Sequence, residues 1–511
     1  MTFHSILSAI TEDGAETETL EAPACFRDLN LDQIVQAITA GKQEYNLTPF
    51  FYTPLRDVDT IKYRQEVLRD LEGKVLVENI RSFAEQMRAM REHLAQADKL
   101  YCKHQKESWF LDAVEIYCYA VTTLLRDLSL LELESRGFLA FRDYLRAYVH
   151  SDSYASLVSE TKILKADLST VRYCVLIKGD TLTVGKDRFE TDYSAEVLET
   201  FEKFKQGAVK DYSVQFRGSP EMNHIEAKVL EFVAQLHPDV FSHLERYCAG
   251  HGDYLDRTIG GFDRQVQFYL SYLEHCTVFK DAGLNFCYPQ IADNGNEVYD
   301  YEGFDLALAH KLMRENASVV CNGFYLKGKE RILVVSGPNQ GGKTTFVRMF
   351  GQLHYLASLG CSVPGREARL FLFDKLFTHF EREEDIKTLR GKLEDDLVRV
   401  HEILSQASSD SIIIMNEIFT STTLQDAIQL STKVMAKIIK LNLLCVWVTF
   451  VDELAVFSDQ TVSMVSTVAP ENPALRTYKI IRRPADGLAY ATAIAEKYRL
   501  TYDCLKERMK L

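Results

Sequence analysis

The sequence predicts a multidomain α+β protein, with a long-helix half that carries one small inserted β-hairpin and then a C-terminal α/β domain built around a phosphate loop. Three observations predict it. From 31 to about 146, apolar residues recur at spacings of three and four, as in Val67, Leu68, Leu71 and Val75, or Ala113, Ile116, Tyr117 and Ala120. One β-branched stretch, 173–186, interrupts that texture around a Gly179-Asp180 turn. Beyond about 288, short apolar runs alternate with helical segments, as a doubly wound or mixed sheet requires.

In chain order, residues 1–30 are acidic and weakly patterned, and read as a leader packed on the body. Residues 31–282 form the helical domain, whose charged helix faces are solvated. The inserted hairpin is expected at about 162–190. Lys162, Lys165, Arg172, Lys178, Lys186 and Arg188 there face Asp167, Asp180, Asp187 and Glu190. That small cationic excess suits either a solvated hairpin face or a tip that touches phosphates. Helical texture resumes over 194–274 with a break at 250–252, and a boundary at 281–288 leads into the last domain, 283–511.

That domain opens on the run Ile332 to Ser336, followed by Gly337, Pro338, Asn339, Gln340, Gly341, Gly342, Lys343, Thr344 and Thr345. A β-branched run breaking into glycines and then Lys-Thr reads as a buried strand, a turn, and a helix that begins at the lysine. Gly337, Gly341 and Gly342 let backbone N–H groups approach a polyphosphate, and the helix N-terminus adds its dipole. Lys343 supplies a point charge to the β- and γ-phosphates, and the Thr344 hydroxyl is placed to ligate Mg²⁺. Further strands are expected at 369–373, 376–380, 411–417 and 443–449, with a charged helix over 386–405. In phosphate-loop ATPases the second strand ends in Asp-Glu, the Asp holding the metal shell and the Glu orienting the attacking water. Here the pair is Asn416-Glu417. Glu417 is still available as general base, and Asn416 offers the metal a neutral carbonyl oxygen. The catalytic candidates are therefore Glu417 and Lys343, the ATP-binding candidates are 337–345, and the Mg²⁺ candidates are Thr344 and Asn416.

Composition narrows the class. Eleven cysteines, an odd number without a C-x-x-C pair, argue against a disulfide framework or a zinc ribbon. Residues 1–16 have no basic segment ahead of an apolar one, and no run approaches membrane-spanning length, so the chain reads as cytoplasmic and not membrane-bound. A net charge of −14 opposes a large nonspecific nucleic-acid footprint and leaves room for a local basic surface.

The Ser-Gly-Pro-Asn-Gln-Gly-Gly-Lys-Thr-Thr loop, then Gly360-Cys361-Ser362-Val363-Pro364, Met415-Asn416-Glu417-Ile418, Ser421-Thr422-Thr423 and Asp426, together resemble the MutS mismatch-repair ATPases. Outside the loop, Thr53-Pro54-Leu55-Arg56-Asp57 followed by Arg64-Gln65 resembles the start of that family's helical core. Val320-Cys321-Asn322 resembles its Val-Pro-Asn segment, and Asp486-Gly487 with 490–495 resembles the segment after its last strand. The resemblance implies an ABC-like ATPase domain, ATP and Mg²⁺ as ligands, helical core and lever arms closing around DNA, and a homodimer in contact around 390–393 and 421–426. It also implies a form without the N-terminal mismatch-reading domain, because the core-like Thr53-Pro54 comes so early. Phe83-Ala84-Glu85 matches that domain's Phe-x-Glu wedge by chance, inside a helical run. Three positions depart from the family. Asn416 replaces its Asp, Phe450 its Thr-His histidine, and Gly391 the serine that reaches a partner's γ-phosphate.

Two other readings compete. An ATP-gated dimeric scaffold with little hydrolysis, acting on a protein, suits the acidic chain, the small hairpin and Asn416. A transporter's nucleotide-binding subunit would need a Leu-Ser-Gly-Gly-Gln-like signature, which is missing.

Overall fold

Helices form where the 3.6-residue apolar period is kept, and strands where it gives way to β-branched runs. The computed structural model describes residues 3–9, 19–187, 222–292, 297–381, 391–485, 500, 502 and 505–506. These divide into two compact units, Lys74–Leu133 with Ala140–Asp263, and Met1–Gly73 with Glu134–Leu139 and Arg264–Leu511. The sequence grouping kept 31–73 with the helical domain, whereas the contacts join that segment to the unit that holds the glycine loop.

The helices in chain order are α1 (Leu31–Thr39), α2 (Thr48–Tyr52), α3 (Val58–Asp70), α4 (Lys74–Lys99), α5 (Lys103–Ser129), α6 (Arg136–Val149) and α7 (Asp152–Ser169). After a hairpin of β1 (Tyr173–Lys178) and β2 (Thr181–Lys186) come α8 (His224–Leu236), α9 (Pro238–Gly250) and α10 (Arg257–Asp281).

In the first unit, α4 and α5 pair along their apolar stripes, burying Ile80, Met87, Val114, Tyr117, Val121 and Leu124. Phe83 lies in this stripe, 6.0 Å from the Phe262 ring, so Phe83-Ala84-Glu85 is core helix as its sequence context predicts. The hairpin is narrower than the expected 162–190. Residues 162–169 are the last turns of α7, because Leu164 continues the buried face of Leu157 and Thr161. Lys165 belongs there too, bridging Asp112 and Glu115. The strands pair from Tyr173↔Lys186 to Lys178↔Thr181 around Gly179, whose φ is +64°. Arg188 and Glu190 lie outside the described residues.

The second unit packs its N-terminal segment onto its C-terminal half. Phe3, Ile6, Leu7, Phe26 and Leu29 are buried. Arg64, from the family-like Arg64-Gln65 pair, is buried and donates to the Leu7 and Leu359 carbonyls at 2.9 and 3.0 Å. Gln65 donates to the Pro289 carbonyl at 3.1 Å. Burying so polar a pair is tolerable because these donors find acceptors.

The remaining elements are β3 (Phe286–Cys287), β4 (Gln290–Ala292), β5 (Glu297–Gly303), α11 (Leu306–Arg314), β6 (Asn322–Lys327), β7 (Ile332–Ser336), α12 (Lys343–Ser358), β8 (Val363–Pro364), β9 (Glu367–Phe371) and β10 (Leu376–His379). They continue with α13 (Lys392–Gln406), β11 (Ile412–Asn416), α14 (Leu424–Leu441), β12 (Leu444–Val448), β13 (Thr461–Ala469) and β14 (Asn472–Arg482). The main sheet has the order β10-β11-β12-β7-β13-β14, parallel except for β14 against β13. Strands β7, β11 and β12 are buried throughout, as continuous apolar runs in a parallel sheet should be. A second sheet, β4-β9-β5-β6, stands beside it and was not expected from the sequence.

Candidate functional site at the glycine loop

Strand β7 is central, with β12 and β13 parallel on either side, so its C-terminal end opens where the sheet's strand order reverses. The chain leaves Ser336 through 337–342, and α12 starts at Lys343 with Gly342 as N-cap, φ +89°. Two glycines are also demanded by packing. A Cβ on Gly341 would sit 2.3 Å from Ser466 Oγ, and one on Gly337, where φ is +117°, 2.9 Å from the Ser466 carbonyl. Ser466 Oγ donates to the Gly341 carbonyl at 2.7 Å, tying the loop to β13. Pro338 is buried and its carbonyl accepts from the Gly341 N–H at 3.2 Å, while Asn339 and Gln340 are exposed.

Lys343 is 7% exposed, and its ammonium donates to the carbonyls of Gly337 (3.0 Å) and Pro338 (3.2 Å) and to Asn339 Oδ1 (3.3 Å). Glu417 Oε1 is 3.6 Å away. Burial lowers the Lys343 pKa, Glu417 opposes that shift, and the Arg476 charge adds to it. Thr344 Oγ1 donates to Asn416 Oδ1 at 3.1 Å, and Thr345 is half-buried beside it in the first turn. Thr344 and Asn416 thus bring two hard, neutral oxygens together, which suits Mg²⁺ in donor type but adds no negative charge. Among the described residues there is no cluster of three or more His, Cys, Asp or Glu side chains that would hold a metal.

Glu417 follows β11 directly and has φ +53°, and Phe419 has φ +60°. Left-handed backbone at two non-glycine residues costs on the order of 1–3 kcal/mol each and persists only where neighbours enforce it. The Glu417 N–H donates to the Val448 carbonyl at 3.0 Å, and the Phe419 N–H to Asp396 Oδ2 at 3.2 Å. Asp396 comes from α13, has His379 Nε2 3.4 Å from its other oxygen, and has its pKa raised by burial.

The expected subunit-contact residues have local roles. Gly391 is the N-cap of α13 and contributes no side-chain cap. Thr423 caps α14, accepting from the Asp426 N–H at 3.2 Å and donating to its carboxylate at 2.9 Å. Phe450 is half exposed after β12. Arg390, Asp486-Gly487 and 490–495 lie outside the described residues.

Sequence reasoning missed β14. Arg476 Nε donates to the Asn339 carbonyl at 3.2 Å, and Tyr478, with φ +58°, lies about 3.7 Å from where a Gly342 Cβ would be. Asn322 holds this strand, donating to the Tyr478 carbonyl (3.0 Å) and accepting from the Ile480 N–H (2.8 Å). The signal available was Asn322 itself, in the family-like Val320-Cys321-Asn322.

Residues 333–504 match the family model described as MutS domain V. This part of the chain is similar to that one domain of the MutS family. Curated relatives include the DNA mismatch repair protein MutS of Rickettsia massiliae (strain Mtu5), 30% identical over 190 residues, covering 35% of this chain and 21% of the relative. The MutS of Orientia tsutsugamushi (strain Boryong) is 27% identical over 218 residues, covering 42% of this chain and 24% of that protein. The matched stretch therefore spans about a quarter or less of the length of these MutS proteins. No described helix is long and apolar enough to cross a membrane.

Proposed function

We propose that the unit that holds the glycine loop binds ATP through 337–345 and hydrolyses it slowly. We propose further that the protein acts on DNA, whether mismatched, branched or duplex, as a dimeric clamp in repair or recombination. The observation that carries this reading is the Lys343 ammonium, held among loop carbonyls 3.6 Å from Glu417, with the Thr344–Asn416 pair alongside. Phosphate oxygens entering the loop replace the Gly337 and Pro338 carbonyls as partners of Lys343, and the first-turn N–H groups of α12 face them. Thr344 and Asn416 are the residues that would hold Mg²⁺, which when bound neutralises phosphate charge. Glu417, released from Lys343 as the phosphate takes its place, accepts a proton from the attacking water. Because Asn416 is neutral, metal is held weakly and turnover is slow. The DNA reading rests on the relatives named above as DNA mismatch repair proteins.

A second reading, an ATP-gated scaffold for a protein partner, is favoured by Asn416 and by the net charge of −14. Gel-shift binding to duplex, mismatched and four-way DNA, with and without ATP at two stated salt concentrations, separates the two. The clamp reading expects binding that weakens with salt and changes with ATP for at least one DNA form. Absence of binding to all three at low salt leaves the scaffold.

A further inference from the structure

Strand β14 brings a cation to the glycine loop that no motif announces. It pairs antiparallel with β13, and the register shifts between Ser466 and Val468 and again between Val468 and Ala469, leaving Arg476 opposite Val468. Arg476 Nε is fixed on the Asn339 carbonyl, so the guanidinium lies against an exposed part of the loop whose inner side holds Lys343. Two cations therefore flank one short loop, both bonded to Asn339, Arg476 at its carbonyl and Lys343 at its Oδ1. The carboxylate beside Lys343 is Glu417, and the neighbouring Thr344–Asn416 pair is neutral. In a chain of net charge −14, such a positive concentration beside backbone N–H groups suits a polyanion. A planar guanidinium fork also matches phosphate oxygens in geometry.

We infer that Arg476 is a second phosphate-facing cation of this site, supplying part of the charge neutralisation that a carboxylate-held metal would otherwise provide, so that nucleoside triphosphate binds with little dependence on divalent metal. This rests on the nucleotide-binding reading of the loop. It makes the neutral Asn416 and the extra arginine two sides of one arrangement, in which phosphate charge is met more by protein and less by metal.

Calorimetric titration of ATP and AMP onto wild type, Arg476→Ala, Arg476→Lys and Lys343→Ala, each in Mg²⁺ and in EDTA, tests it, with thermal melts as a fold control. Wild type should lose less than about tenfold in ATP affinity on going from Mg²⁺ to EDTA, the scale of one ordinary interaction. Arg476→Ala should lose roughly 10–100-fold for ATP in EDTA, as expected for a charged hydrogen bond, and less in Mg²⁺. Arg476→Lys should fall between the two, and AMP affinity should be unaffected by either. Wild-type and Arg476→Ala affinities that agree in EDTA, or wild-type binding abolished by EDTA, would overturn the inference. If the alanine variant does not fold, an Arg476→Lys variant equal to wild type in EDTA overturns it as well. The underlying site reading fails separately, through a wild type that binds no nucleotide or a Lys343→Ala variant that binds as well as wild type.

Discussion

Asp300, on β5, is a carboxylate with no room for its charge. It is fully buried, neither oxygen has a hydrogen-bond partner among the described residues, and Cβ atoms placed on Gly303 and Gly365 would strike its two oxygens. Burial raises its pKa well above the ordinary carboxylate range. A folded-state pKa above the unfolded value means that the native state keeps a proton the unfolded chain releases. Its contribution to stability is thus fully present below the ordinary carboxylate pKa and is lost as pH rises through the folded value. Asp300→Asn removes that loss. Melts should show the variant gaining on the order of 1 kcal/mol or more over wild type at pH 8 and far less at pH 4. An equal difference at both pH values would count against a neutral Asp300. Such residues are hard to see in a sequence. Lys343, Thr344 and Glu417 stand in a local motif, but Asp300, Asp396 and Arg476 acquire their surroundings only through tertiary contacts.

Among the elements, those with the densest local signal were legible. The apolar run Ile332 to Ser336 breaks into glycine and becomes β7 and α12, and the β-branched stretch around Gly179 becomes the hairpin. The expected strand 411–417 is observed as Ile412–Asn416, and 443–449 as Leu444–Val448. The second sheet was not legible, because β4 has only three residues and β5 mixes Glu, Asp and Tyr into its strand. Strand β14 was missed because Arg476, Lys479 and Arg482 leave it without apolar alternation, and Asn322 and the β13 ladder hold it in place. The loop's fit against β13 gives a test at this scale. Ser466→Ala removes the bond to Gly341 and should cost about 1 kcal/mol. Gly341→Ala forces a Cβ toward Ser466 Oγ and should cost roughly 1–3 kcal/mol. In the double variant the missing hydroxyl makes room for part of that Cβ, so denaturant unfolding should show less than the sum. Strict additivity would mean that the two sites do not share this contact.

For the whole molecule, the unit that holds the glycine loop and the helical unit belong to one chain, so the proposed nucleotide chemistry would be confined to the first of them. Sequence legibility at this level came from the extended loop motif and its companion segments, since composition alone describes many folded proteins. The central claim is that Gly337 to Thr345 cradle ATP and that Glu417 is the base which consumes it. Single-turnover conversion of labelled ATP, compared between wild type and Glu417→Gln, tests it most directly. Wild type should convert bound ATP slowly to ADP, and the variant should keep ATP bound while converting it roughly 10²–10⁴-fold more slowly. Conversion by wild type no faster than buffer, or equal rates in the two proteins, would contradict it.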